Sequence, residues 1–307
     1  MLLFILRRLM TMVPTFFIIV VVSFFIIRLA PGSPFSQERA MAPELRAQLE
    51  ARYGLDQPLW QQLGRYVYGM VMHQDLGVSM KYPGRSVNSM LRAGLPNTLM
   101  LGTLALCWAL ILGLTAGICG ALYHNRWPDH VAMLCAMVGL SLPAFVLGPI
   151  MVLGISLTWH LLPPAGWGSA RHLVLPSLTL GTVYAAYIAR LCRAGVLEVL
   201  QSDFVRTARA KGMPPMLILR RHVLRAGIMP VVSFLGPATA SLLVGSVVVE
   251  KIFNVPGIGP YFVDAAFNRD YFLVMGVVVL ESVLVLGFNL LVDILYGWLD
   301  PRIRLGQ

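Results

Sequence analysis

Six apolar runs set the terms on which this chain can fold: residues 9–29, 98–122, 131–159, 174–197, 228–249 and 272–299. Each reaches the roughly 20 residues that an α-helix needs to cross a ~30 Å hydrocarbon core. Backbone N–H and C=O groups find no water there, so each run has to satisfy them internally as helix. Charged residues make up only 12% of the chain and hydrophobic ones 57%, whereas a soluble domain is about a quarter charged. The expectation is an all-α integral membrane protein with six transmembrane helices. The four cysteines, Cys107, Cys119, Cys135 and Cys192, fall inside apolar runs without metal-ligand spacing, and read as small apolar residues.

The first run follows Arg7 and Arg8 and is too long for the apolar region of a signal peptide. Ala30-Pro31 is also a poor cleavage site, so residues 1–30 are expected to form a retained helix. Residues 31–96 are polar and too long for a tight connection. Within them, residues 41–52 carry Leu45 and Leu49 on one side of a helical repeat, and residues 58–72 bring Trp60, Tyr66 and Tyr68. This segment reads as an external, periplasmic cap that also offers a docking surface. Residues 97–307 hold the other five spans as a membrane-embedded core.

A net charge of +10 would suggest nucleic acid in a soluble protein. Here the excess of Lys and Arg in inner loops explains it, and no nucleic-acid partner is expected. With both termini inside, short inner segments carry 13 Lys/Arg and short outer loops three, Arg171, Lys251 and Arg269. That bias predicts a multi-pass protein of the inner membrane with cytoplasmic N- and C-termini.

One inner stretch stands out, residues 198–227. Eight cations lie between Arg190 and Arg225, against Glu198 and Asp203 as acids. Ser202 is placed to cap a helix that opens on Asp203, an acid at the positive end of the helix dipole. Phe204, Val205 and Ala208 give that helix an apolar side, and Gly212 ends it. Pro214 and Pro215 forbid continuation but open a second helix, 216–225. The bland reading is a surface helix whose arginines bind lipid headgroups. The small residues Ala208, Ala210 and Gly212 favour a protein partner, because they let another backbone come close.

Thr207-Ala208-Arg209-Ala210-Lys211-Gly212, followed by Arg221-His222 and Pro230, resembles the EAA loop of ABC importer permeases of the type I kind. Three further stretches carry the same resemblance: Arg28-Leu29-Ala30-Pro31-Gly32-Ser33-Pro34, Val255-Pro256-Gly257-Ile258-Gly259 with Asn268-Arg269-Asp270-Tyr271, and the segment from Asp293 to Pro301. Together they identify the chain as similar to the B-type membrane subunit of oligopeptide importers, with dipeptide, glutathione or nickel permeases as alternatives. The resemblance implies a coupling loop of Ser202, Asp203, Arg206, Thr207, Ala208, Arg209, Ala210, Lys211 and Gly212, seated in a separate ATPase. It also implies an external loop with Pro256, Gly257, Gly259, Arg269 and Asp270 that meets an extracytoplasmic peptide-binding protein. A second related permease and two ABC ATPases, which hold ATP and Mg, complete the expected assembly. One departure stands out, since Arg206 occupies the position where the loop of the wider family begins with glutamate.

No catalytic or metal site is expected on the chain itself. None of Lys81, Lys211 and Lys251 belongs to a GxxxxGK[ST] phosphate loop, and neither HExxH nor GxSxG occurs. Within the spans, Glu281 is costly by about 3 kcal/mol if isolated, so it should face the bundle interior, a partner or water. Asp293, expected to pair with a local arginine such as Arg302 or with a partner subunit, together with Ser246 and Glu250 completes a set of candidate pathway or gate residues. An ion-coupled secondary transporter is the competing class, but it would show paired broken helices and more intramembrane charge.

Overall fold

The computed structural model describes residues 2–30, 43–245 and 247–299. Among these residues every regular element is helical, apart from one isolated antiparallel bridge between Val78 and Ser86. In chain order the helices are α1 (Leu2–Leu29), α2 (Pro43–Arg52), α3 (Leu59–Met72), α4 (Val87–Leu122), α5 (Trp127–Ser141), α6 (Ala144–Met151), α7 (Ala170–Leu200), α8 (Asp203–Ala210), α9 (Pro215–Ile218), α10 (Leu224–Gly227), α11 (Met229–Val244), α12 (Val247–Ile252), α13 (Ile258–Asn268) and α14 (Tyr271–Leu299). Two π-helical turns, Val152–Thr158 and Leu219–Val223, continue α6 and α9.

Among the described residues five stretches are long and apolar enough to cross a membrane: Leu6–Leu29, Val87–Leu122, Ala170–Leu200, Met229–Ile252 and Tyr271–Ile294. The remaining apolar run folds as two limbs, α5 and Ala144–Thr158, which meet at an angle of 114°, the geometry of a broken span or a re-entrant loop. Pro143 causes the break. Its ring disfavours the helical region for the residue before it, and Leu142 is accordingly extended at φ −92°, ψ 116°. The apolar run over residues 131–159 is thus divided between two limbs. The fifth span is also interrupted, at Gly245, where α11 ends and α12 follows.

The chain packs as two compact units. The first comprises residues 1–97 and 256–290, so the outer segment and α1 belong with α13 and most of α14. One seam of α1 is buried, Val20 and Phe24 one turn apart, against Leu63 and Tyr66 of α3 and Met275 and Val279 of α14. The opposite side of α1, with Ile18, Val22 and Ile26, stays exposed, as a lipid-facing surface should. A second cluster joins Val87, Met90 and Leu91 of α4 to Ile258 and Ala265 of α13 and Leu273, Val274 and Val277 of α14.

The second unit comprises residues 98–255 and 291–307. Helix α7 runs through its core, with Leu175, Leu180, Ile188, Cys192 and Val196 buried. Small residues bring α4 against it: a Cβ built on Gly113 or Gly117 would come within 2.7 Å of the backbone oxygen of Ala185 or Ala189. Close approach of this small-xxx-small kind replaces the hydrophobic driving force that lipid cannot supply.

Candidate functional site

The basic hairpin forms where the sequence places it. α8 starts at Asp203 with Ser202 in the extended N-cap conformation and ends at Ala210; Gly212 then adopts φ +73°, the left-handed conformation expected of a helix-terminating glycine. Met213 N–H donates to Ala208 O, closing the terminal turn. Pro215 opens α9 as its first residue. One detail differs: the Ser202 hydroxyl donates back to Val199 O at 2.6 Å instead of accepting from the first turn of α8. The helix start is therefore set by backbone conformation, with Asp203 in its first turn.

Two sides of α8 separate cleanly. Val205 and Ala208 are buried with Val196, Ile218, Leu219 and Val223 in the core of the second unit. Phe204, Arg206, Thr207, Arg209, Ala210, Lys211 and Gly212 are exposed. Ala208, read from sequence as part of a partner-facing small-residue surface, belongs to the chain's own core, because one turn of helix carries it round to the side of Val205. Phe204 goes the opposite way. It is 50% exposed and joins Met216 (58%) and Leu217 (42%) as apolar side chains open around the corner. Periodicity over so short a helix did not separate Phe204 from Val205. Arg206 lies 3.4 Å from Asp203 on this open side, a surface pair that contributes little.

Arg193 does not belong to the open basic surface. Its guanidinium donates to both carboxylate oxygens of Asp129, from Nε at 2.6 Å and from Nη2 at 2.7 Å. Asn125 N–H donates to the same carboxylate at 3.0 Å, and His124 Nδ1 lies 3.4 Å away. This bidentate pair fastens the start of α5 to α7 two turns before α7 ends and the chain enters α8. Arg193 is one of the eight cations between Arg190 and Arg225, and Asp129 lies 64 residues before it. Their separation in sequence hides a pair that only tertiary packing creates.

Among the candidate pathway residues, Glu250 lies on α12 and is 1% exposed. Gly245 has φ +86°, and a Cβ there would sit 2.6 Å from Thr98 Cγ2 and 2.8 Å from Glu250 Oε1. Thr98, Gly245 and Glu250 thus form one tightly fitted group at the break in the fifth span. Glu281 and Asp293 are both half-buried on α14 and lie about three turns apart. Ser246, Arg302, residues 31–34 of the first motif and Pro301 of the last lie outside the described residues.

In the first unit the loop expected to be external is built around α13. Asn97 Nδ2 donates to Pro256 O at 2.8 Å. Pro256 is exposed while Gly257 and Gly259 are buried. Arg269 ends α13 in the left-handed conformation, φ 57°. Asp270 is fully buried. Its Oδ2 accepts from the Ser79 hydroxyl and from Met80 N–H at 3.1 Å and Lys81 N–H at 3.2 Å, and its Oδ1 accepts from Leu273 N–H at 3.2 Å. Asp270 is therefore the N-cap of α14 and a clasp on the loop after α3. Its carboxylate shapes the loop from within; the side chain itself is closed to a soluble partner.

Residues 109–305 match the family model described as "Binding-protein-dependent transport system inner membrane component", and residues 1–92 match its N-terminal companion, "Binding-prot-dependent transport system membrane comp, N-term". The chain is 44% identical over 307 residues to the oligopeptide transport system permease protein OppB of Haemophilus influenzae, covering 99% of this chain and 100% of that one. OppB of Escherichia coli K12 is 44% identical with the same coverage. The dipeptide transport system permease protein DppB of Bacillus subtilis is 41% identical, covering 98% of each chain. Among solved structures, an amino acid ABC transporter chain superposes with a TM-score of 0.53 at 19% identity, covering 68% of this chain and 93% of its own. The MetNI methionine ABC transporter gives 0.52 at 18% identity, covering 67% and 96%. At these identities the structures speak for the fold alone, that of type I ABC importer permeases. The chain belongs to the binding-protein-dependent transport system inner membrane components, in the branch of the B-type permeases OppB and DppB.

Proposed function

We propose that this chain is one half of the transmembrane pathway of an ATP-driven importer for oligopeptides, with ATP and Mg bound by separate ATPase subunits. The observation that carries this reading is end-to-end identity of 44% to oligopeptide permeases, together with a short basic helix whose outer side is left open. On this reading the corner from Phe204 to Leu217 seats in a groove of the ATPase. Arg206, Thr207, Arg209, Ala210, Lys211 and Gly212 would face that partner, flanked by the apolar Phe204, Met216 and Leu217. Motion of the motor would pass from α8 into α7 through Val205 and Ala208, with the Asp129–Arg193 pair holding α7 in place.

The group around Gly245 and Glu250 would form part of the gate, with Ser246, Glu281 and Asp293 as further pathway candidates. The loop with Pro256, Gly257, Gly259 and Arg269 would meet an extracytoplasmic binding protein. A second, related permease would complete the pathway, and both termini of this chain would be cytoplasmic, as the distribution of Lys and Arg indicates.

The test is uptake of labelled peptides into vesicles holding this chain, its partner permease, the ATPases and the binding protein. ATP-dependent accumulation that requires the ATPases is the expected result; peptide transport or ATP hydrolysis by this chain alone would overturn it. Dipeptide import is the second reading, favoured by the 41% identity to a dipeptide permease. Competition between peptides of two and of four or five residues separates the two.

A further inference from the structure

The first unit contains a cavity of about 210 Å³, walled by the end of α1, the face of α3 and the first turns of α14. The transport reading gives it no task. Charges of both signs line it: Arg28 from α1, Arg65 from α3, and Asp75 from the loop that follows. The Arg28 guanidinium lies 4.3 Å from the centre of the Tyr271 ring and 5.4 Å from that of Phe24. It forms no ion pair among the described residues. Gln62 Nε2 donates to the carbonyls of Leu55 and Gln57 at 3.2 and 2.7 Å, which fixes the amide and leaves Oε1 buried without a hydrogen-bond partner among the described residues. The Tyr66 hydroxyl is in the same condition. Burial, and then the Asp75 carboxylate, push the Tyr66 phenol above its ordinary pKa, so it keeps its proton.

We propose that this cavity binds the headgroup of a zwitterionic phospholipid of the phosphoethanolamine type. Arg28, Arg65 and the Tyr66 hydroxyl supply donors for the phosphate. Gln62 Oε1 and Asp75 supply acceptors for the ammonium. Three observations select this ligand. The volume is below the ~300 Å³ at which sites enclose a drug-sized molecule, so a headgroup fits and a peptide does not. Cations and a carboxylate stand on one lining, which suits a zwitterion better than a plain anion. Finally, the cavity lies at the end of the apolar stretch Leu6–Leu29 and takes Phe24, Ile27 and Arg28 from it, which puts a bound headgroup at the level of the membrane surface.

Native mass spectrometry of the full-length chain, released from mild detergent and titrated with defined lipids, tests this. One phosphatidylethanolamine should be retained in preference to diacylglycerol. The Arg28→Gln, Arg65→Gln double variant should bind it at least about tenfold more weakly, a factor equivalent to ~1.4 kcal/mol. Tyr66→Phe should weaken it by a smaller factor, and Arg171→Gln, in the other unit, should leave it unchanged. Arg65 is exposed and its single variant is expected to fold, so Arg65→Gln and Tyr66→Phe decide the matter if the double variant does not. Equal retention of diacylglycerol, or equal binding by the cavity variants and Arg171→Gln, would overturn the proposal. So would capture of glycerophosphoethanolamine or inorganic phosphate with no preference for the lipid. No ATPase is needed, so the outcome is independent of the transport reading.

Discussion

Replacing Asp129 by Asn keeps the shape of the side chain and removes its charge, which isolates the value of the pair with Arg193. The Asp129 side chain is 2% exposed and that of Arg193 25%. Breaking a fully buried ion pair destabilises by about 3–5 kcal/mol, because one charge is left uncompensated; an exposed pair is worth about 0–1 kcal/mol. With Arg193 a quarter open to solvent, and with the Asn carbonyl still able to accept one of its donors, Asp129→Asn should lose about 2 kcal/mol. Arg193→Met should lose a similar amount, and the double variant little more than either single, since the second change removes the charge that the first left stranded. Unfolding of the purified chain in mixed micelles, followed by helical signal against denaturing detergent, reads all three. In the assembled importer Asp129→Asn should also reduce peptide uptake, because α7 leads directly into α8. A loss below about 0.5 kcal/mol, or single-variant losses that simply add in the double variant, would refute the view that this pair fastens α5 to α7.

Asp270→Ala removes the N-cap of α14 and the acceptor of the Ser79 clasp together, and should destabilise by about 2–3 kcal/mol in the same assay; Ser79→Ala, which leaves the cap intact, should lose about 1 kcal/mol. Gly245→Ala places a Cβ 2.6 Å from Thr98 Cγ2 in a backbone at φ 86°, ψ 176° that is essentially reserved for glycine, and should lose about 1–3 kcal/mol from the backbone conformation alone. Gly212→Asn makes a useful contrast: the position is left-handed but nothing in the chain lies within 4 Å of a Cβ there, and Asn tolerates that conformation. Its stability should change by under about 0.5 kcal/mol, while peptide uptake falls if a partner covers the corner.

Local signals in the sequence foretold the local features of the fold. Apolar length marked the spans, and Asp203, Gly212 and Pro215 marked the limits of the two short helices, because caps and proline act within a turn of where they stand. The helices expected at residues 41–52 and 58–72 appear as α2 and α3. What the sequence hid was long-range. Pro143 lies in an apolar stretch that reads as one span, and the size of the bend there, 114°, is not set by the proline alone. Asp129 and Arg193, or Ser79 and Asp270, are far apart in the chain, and nothing in their neighbourhoods announces a partner. Family likeness marked Asp270 as a loop residue, but only burial shows that its carboxylate works inward. In α8 the composition was plain, yet the division between Val205 and Ala208 inside and Phe204 outside depended on how the helix is rolled against Ile218 and Val223.

The most direct test of coupling through the hairpin is a photo-crosslinking residue at Thr207, which is exposed on α8 and whose hydroxyl donates locally to Asp203 O. In membranes holding the assembled importer, irradiation should join this chain to the ATPase subunit, with the same residue at Val131 of α5 as a control that gives no such adduct. Full assembly with no ATPase adduct from Thr207, or an equal yield from Val131, would contradict the assignment of this hairpin as the point where the motor enters.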